Sequence, residues 1–294
     1  MSRATDPPAL ARAAGLACWS GPVSPEPLAG GITNKNYLVR DRGVRFVVRV
    51  GDDIPVHHVM RFNELAASRA AAAAGISPEV IHHEPGAIVF RFIEGKTLAP
   101  EDLRVRDMLT RVLPLIRRCH REVPRYLRGP ALIFWVFHIL RDYAATLHEG
   151  GSLWRAELPR LMRTAEKLER IVGSIDVVFG HNDLLSANLI DDGKRLWLID
   201  WDYAGFNSPL FDLGNICANN CVGSADEDWL IEAYFERALD DELHRRYRAM
   251  KCASLLREAF WGMVSAIHSD LDFDYVGYAR DYLARFERAH TALK

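Results

Sequence analysis

Hydrophobic and polar positions alternate first in two pairs of short runs. Tyr37-Leu38-Val39 and Phe46-Val47-Val48 flank Asp41-Arg42-Gly43, a pattern that predicts a β-hairpin with a tight turn. Residues 60–74 are Ala-rich and unbroken by Gly or Pro, which predicts a helix with Gly75 as its stop. Residues 80–83 and 88–93 then predict two more strands around Pro85-Gly86. After Glu94-Gly95-Lys96 the pattern changes to helical periods over roughly 101–121, 134–148 and 155–171. One island of short apolar runs interrupts them: Val177-Val178-Phe179, Leu189-Ile190 and Leu196-Trp197-Leu198-Ile199, with Asp191-Asp192-Gly193 as a hairpin turn. Helical patterns resume to the end, and neither an internal repeat nor a low-complexity linker breaks the chain. A β-rich first third before a mostly helical remainder predicts an α+β fold of two lobes with a cleft between them, residues 1–95 and 96–294.

Composition narrows the class. With 294 residues and 49% hydrophobic side chains, the chain is globular rather than disordered, collagen-like or a disulfide mini-scaffold. Lys plus Arg number 37 against 39 Asp plus Glu, a net charge of −2, which argues against a nucleic-acid binder. The distribution says more than the total. Residues 181–215 carry six Asp against Lys194 and Arg195, and residues 216–294 carry 14 acidic against 10 basic side chains. Six of the seven Trp lie after residue 95, so acidic and aromatic resources share the second lobe, as metal and cationic-ligand binding would require. The five cysteines are scattered and read as reduced thiols; Cys217 and Cys221 alone make poor zinc ligands. Pro7, Pro8 and Arg12 interrupt any signal sequence, and residues 131–140 are too short to span a bilayer, so a cytoplasmic protein without membrane insertion is expected. The eight arginines between 104 and 128 are interleaved with acidic residues and read as solvated helix surface. Monomer and homodimer are both left open.

The chemistry concentrates in residues 181–202, HNDLLSANLIDDGKRLWLIDWD. Asp183 and Asn188 stand five apart, and Asp200 follows the strand after a hairpin turn. Taken singly, each is an ordinary turn residue. Together, H-x-D-x4-N followed by Asp is the order that phosphoryl transfer needs: one carboxylate to accept the proton of an attacking hydroxyl, then an Asn and a second Asp to hold Mg²⁺. Oxygen ligands suit that ion, which keeps several of its own waters.

This segment resembles the catalytic core of the choline/ethanolamine kinases, within the wider aminoglycoside-phosphotransferase-like group. Ile199-Asp200-Trp201-Asp202-Tyr203-Ala204-Gly205 and Asp212-Leu213-Gly214-Asn215 are similar to that family, and Gly30-Gly31-Ile32-Thr33-Asn34-Lys35-Asn36-Tyr37 resembles its phosphate loop. The likeness runs from about residue 29 to 280. It implies a two-lobed protein-kinase-like fold, with ATP and Mg²⁺ as nucleotide and metal. Asp183 would be the base, Asn188 and Asp200 would bind Mg²⁺, and Asp202 would stand beside the metal carboxylate. Gly30 and Gly31 would let backbone approach phosphate, with Thr33 and Asn34 adding donors. Arg49 occupies the strand position usually held by Lys, and Glu64 would be its ion-pair partner. Residues 90–93 would offer backbone groups to the adenine, and His181 would brace the catalytic loop.

For the acceptor the resemblance implies a small cationic alcohol, choline first and ethanolamine second, held in an aromatic cage. Trp261 and Tyr278 are the foremost candidates, with Trp229 and Tyr275 beside them. An aminoglycoside, amino-sugar or thiamine-type kinase of the same fold is the nearest alternative. Asp200-Trp201-Asp202 also has the D-x-D spacing of aspartyl-nucleophile phosphatases, although Ala204 stands at that motif's third position. A non-catalytic nucleotide-binding module is the remaining class.

Overall fold

The structure, a computed structural model, describes residues 6–28 and 34–293. Gly30, Gly31 and Thr33 of the expected phosphate loop lie outside the described residues; Asn34 lies within them. The chain opens with α1 (Pro7–Ala14), capped by Asp6, whose side chain accepts the Ala9 N–H at 3.1 Å. Then come β1 (Glu26–Pro27), β2 (Lys35–Asp41), β3 (Val44–Val50), α2 (Arg61–Ala73), β4 (Val80–Glu84) and β5 (Ala87–Arg91). The five strands form one antiparallel sheet in the order β1-β2-β3-β5-β4. Arg42 and Gly43 take φ of 48° and 78°, the two positive values that a two-residue hairpin turn needs to match the twist of its strands. Tyr37, Val39, Val48 and Val89 bury one face of the sheet against Ala9, Ala13 and Leu16, making a small core.

The remainder comprises β6 (Lys96–Thr97), α3 (Arg106–Arg121), α4 (Val123–Tyr126), α5 (Val136–Glu149), α6 (Leu158–Val172), β7 (Val178–Gly180), β8 (Leu189–Asp191), β9 (Leu196–Leu198), β10 (Gly205–Asn207), α7 (Pro209–Asn220), α8 (Ser224–Phe235), α9 (Asp241–His268) and α10 (Tyr275–Leu293). The α+β class is as the sequence predicts. Helix α9 runs through the larger core, burying a continuous stretch from Cys252 to Ser265 among α5, α6, α7 and α10. Gly214 is required where α7 crosses it: a Cβ there would lie 3.0 Å from the Lys251 Cα. Helix α2 packs into this larger core rather than under the sheet, through Ala67, Ala70, Ala71 and Ala74. Its end is fixed by Gly75 at a φ of 70°.

Two small sheets frame the site. Strands β6, β8 and β9 form one, and β7 pairs with β10 in the other. Residues 181–188 therefore bridge from the end of β7 to the start of β8, and the Ile199 N–H closes the bridge on the Asn188 carbonyl at 3.0 Å. None of the eight arginines between 104 and 128 is buried, as expected of a solvated surface, and several of them also tie neighbouring elements together. Arg104 donates to the Asn220 carbonyl at 2.9 Å, Arg117 to Ala233, Arg118 to Ala74, and Arg106 pairs with Asp226. Carbonyls at helix ends lack partners within the helix, and guanidinium groups supply them. The five cysteines are free thiols, and among the described residues no helix is long and apolar enough to cross a membrane.

Candidate active site

The 181–188 loop is held by side chains from one helix, α7. The Asp212 carboxylate accepts the backbone N–H of His181 at 2.8 Å and of Asn182 at 2.7 Å. Asn215 accepts from the Leu184 N–H at 2.6 Å, and Asn220 from the Ser186 N–H at 3.2 Å. Spacings of three and eight place the three acceptors along one face of α7. Burial would raise the Asp212 carboxyl, but hydrogen bonding and charge from His120 and His181 outweigh it and hold Asp212 below its ordinary value. Asn182 adopts a φ of 64°, and its amide group donates to the carbonyls of Gly180, Tyr203 and Gly205, tying the loop to β10. His181 braces the same turn. Its Nε2 meets the Ile199 carbonyl at 2.9 Å, and its Nδ1 accepts the Asp183 N–H at 3.3 Å, which defines a neutral ring. Burial lowers its pKa accordingly.

Asp183 is half-buried at the centre of this loop. Asn188 donates to its carbonyl at 2.9 Å and to its carboxylate at 3.3 Å, leaving the Asn188 amide oxygen as the end available to a ligand. Burial pushes the Asp183 carboxyl well above the ordinary range, reinforced by Glu258, Asp200 and Asp202 and opposed by Arg257. Asp200 takes a φ of 69°, a left-handed turn at the end of β9 that sets its carboxylate 2.9 Å from Arg49. Arg49 Nη1 also donates to Glu64 at 2.7 Å and to Asp202 at 3.2 Å. Glu64 is fully buried on α2, so its charge needs such a partner.

A second cation in this cluster was invisible in the sequence. Arg61 Nη1 donates to Glu64 at 2.6 Å and to Asp202 at 2.9 Å, and its Nη2 donates to the Asn34 amide oxygen at 2.9 Å. Asn34 in turn donates to the other Asp202 oxygen at 2.8 Å. Asp202 thus has both oxygens engaged, one by Arg49 and Arg61 and the other by Asn34, whereas Asp200 is bonded through one. Four carboxylates (Glu64, Asp183, Asp200, Asp202) share this space with Arg49 and Arg61. Burial raises the Glu64, Asp183 and Asp202 carboxyls, and repulsion from neighbouring carboxylates adds to it; four carboxylates face two guanidinium groups. An all-oxygen donor set with surplus negative charge fits a hard divalent cation, and Asn188 and Asp200 each keep an oxygen unbonded toward one.

The predicted acceptor aromatics divide. Trp261 is 6% exposed on α9, and its indole donates to the Tyr203 hydroxyl at 3.0 Å. Tyr275 and Tyr278 pack edge-on to it, with ring centres 5.7 Å and 5.3 Å away. Trp229 stands apart from them: on α8, its ring lies under Arg106, with the guanidinium carbon 4.6 Å from its centre. An indole face attracts whichever cation is nearest, and here that cation belongs to α3.

His57 comes to this aromatic group from the segment between β3 and α2. Its ring centre is 5.4 Å from that of Trp261, and its nitrogens meet the Tyr143 hydroxyl at 3.2 Å and Ser265 at 3.0 Å. Burial, with Arg257, His268 and His58 nearby, pushes its pKa down from 6.5 to about 3. The unfolded chain therefore takes up a proton below about pH 6.5 that the native state refuses, so stability falls as pH drops, by about 1.4 kcal/mol per unit at the steepest. Denaturant titrations at pH 7 and pH 5 should differ by about 2 kcal/mol through this residue, and His57→Gln should remove that share.

The model of the choline/ethanolamine kinase family matches residues 26–287. Protein LicA of Haemophilus influenzae is 26% identical over 257 residues, covering 84% of this chain and 75% of its own. A probable ethanolamine kinase A of Dictyostelium discoideum is 27% identical, covering 89% and 83%. The crystal structure of a choline/ethanolamine kinase family protein from Mesorhizobium loti superposes with a TM-score of 0.77 at 28% identity, covering 95% and 92% of the two chains.

Proposed function

The chain belongs to the choline/ethanolamine kinase family, a phosphotransferase family with alcohol acceptors, and from that premise we propose that it transfers the γ-phosphoryl group of ATP to the hydroxyl of choline or ethanolamine. The observation that carries this reading is the convergence of Asp183, Asn188 and Asp200 with the Arg49–Glu64 pair in one space. The acceptor oxygen attacks the γ-phosphorus in line. A P–O bond forms to the acceptor, the bond to the β–γ bridging oxygen breaks, and ADP leaves. Asp183 accepts the hydroxyl proton, and the burial that raises its pKa, reinforced by nearby carboxylates, makes it a stronger base than an exposed carboxylate.

Mg²⁺, when bound, neutralises charge on the phosphates. Asn188 and Asp200 would hold it, with Asp202 alongside. Arg49 would present its fork to the phosphates while Glu64 fixes its direction, and the likeness of the Gly30, Gly31, Thr33 and Asn34 segment to the family's phosphate loop assigns those four residues to phosphate binding. Trp261, Tyr275 and Tyr278 wall the acceptor side; Trp229 has no part in that wall. The boundary between a nucleotide-binding lobe and an acceptor lobe falls between residues 95 and 96, and the protein acts in the cytoplasm. Purified protein with Mg-ATP and either amino alcohol should yield the phosphomonoester, read by ³¹P NMR. Turnover of an aminoglycoside or thiamine, with none of choline or ethanolamine, would transfer the assignment to the neighbouring kinase classes.

A further inference from the structure

Arg257 lies on α9, four residues before Trp261, and is 1% exposed. Its Nη1 donates to Glu258 at 2.8 Å, but Nε and Nη2 meet no partner in the protein. Its guanidinium carbon sits 4.2 Å from the ring centre of Tyr203 and 5.6 Å from that of Phe134. Leaving buried donors unpaired costs about 1–3 kcal/mol each, so such an edge calls for a partner. Nε and Nη2 are also the edge that offers two parallel N–H groups to a carboxylate.

The neighbours place this pair on the acceptor side. Glu258 accepts the Tyr278 hydroxyl at 2.9 Å, and Tyr203 accepts the Trp261 indole N–H at 3.0 Å. Arg257 and Glu258 therefore stand among the aromatics of the acceptor wall. A simple cationic alcohol matches only half of this. Glu258 suits its ammonium, but the face of Tyr203 already carries a guanidinium, and the free edge of Arg257 would stay unpaired.

We propose that the pocket contains an anion subsite on the Nε–Nη2 edge of Arg257, and that the preferred acceptor is a small hydroxy-amino acid, its carboxylate on Arg257 and its ammonium on Glu258. The inference rests on the phosphoryl-transfer reading above and puts a hydroxy-amino acid ahead of choline and ethanolamine as its acceptor. The bonds made and broken are those already described: the side-chain hydroxyl gains the phosphoryl group, its proton passes to Asp183, and the products are an O-phospho amino acid and ADP.

The test is kcat/KM for the full chain with Mg-ATP across L-serine, L-threonine, L-homoserine, ethanolamine and choline. Serine and ethanolamine differ by the carboxylate alone and form the matched pair. At least one hydroxy-amino acid should exceed both amino alcohols by tenfold or more. Arg257→Met should lower the ratio of that acid's kcat/KM to ethanolamine's by thirtyfold or more, and Arg257→Lys, which keeps the charge without the fork, should lower it by a smaller factor. Ethanolamine or choline outrunning every hydroxy-amino acid would overturn the inference and leave the kinase reading standing. No phosphorylation of any of the five would overturn that reading itself. Should Arg257→Met fail to fold, the wild-type panel decides alone.

Discussion

Asp183→Asn lowers kcat by about 10²–10⁴-fold, the range that a general base contributes, while the protein melts no earlier than the wild type. The two halves of that expectation come from one environment. The carboxyl is half-buried and faces Glu258, Asp200 and Asp202, so its charge is opposed in the folded state. A neutral amide of the same shape removes the repulsion and still accepts from Asn188, which bonds the loop at 2.9 Å and 3.3 Å. Activity is lost because the amide cannot take the hydroxyl proton. Stability holds or rises, as at other sites where function requires an unfavourable charge. A coupled assay for ADP release and a thermal melt separate the two effects. A large fall in melting temperature would mean that Asp183 is chiefly structural.

The second large effect is expected away from the reacting atoms. Asp212→Ala strands two buried backbone N–H groups and the fully buried His120, whose Nε2 lies 2.9 Å from the carboxylate. Breaking such a buried charged arrangement costs about 3–5 kcal/mol. Urea denaturation should register that loss as a lower midpoint. Turnover should fall with it, because His181 and Asn182 set the path of the chain into Asp183. Asp212→Asn keeps one acceptor oxygen and should fall between the two. An alanine variant as stable and active as the wild type would show that the loop holds its own shape.

Periodicity carried most of the fold. The hairpin around Arg42-Gly43, the Ala-rich α2 and the long helices follow from local pattern, because their burial is one-sided and regular. Strand β10 escaped notice because Gly205, Phe206 and Asn207 form no apolar run; it exists through pairing with β7 and the bonds from Asn182. Helix α1 lies where Pro7 and Pro8 were weighed only against a signal sequence, yet proline is at home in a first helical turn.

Within the site, Asp183, Asn188 and Asp200 were legible because their order along the chain is itself informative. Arg61, Arg257 and Glu258 were not. A charged residue in a helical pattern reads as solvated, and only the packing shows which ones are buried together. Trp229 illustrates the converse. An aromatic near acidic residues resembles a ligand contact until a neighbouring guanidinium is found on its face.

The support of the 181–188 loop by α7 has a consequence for anyone who would move the site elsewhere. The spacing of Asp183 and Asn188 is written in eight residues, but the backbone directions that make it useful are written 30 to 34 residues later, in α7. Grafted into another scaffold, the octapeptide would keep its side chains and lose its shape. The transferable unit is the loop together with Asp212, Asn215 and Asn220, and Gly214 must travel with them so that the helix can sit against whatever replaces α9.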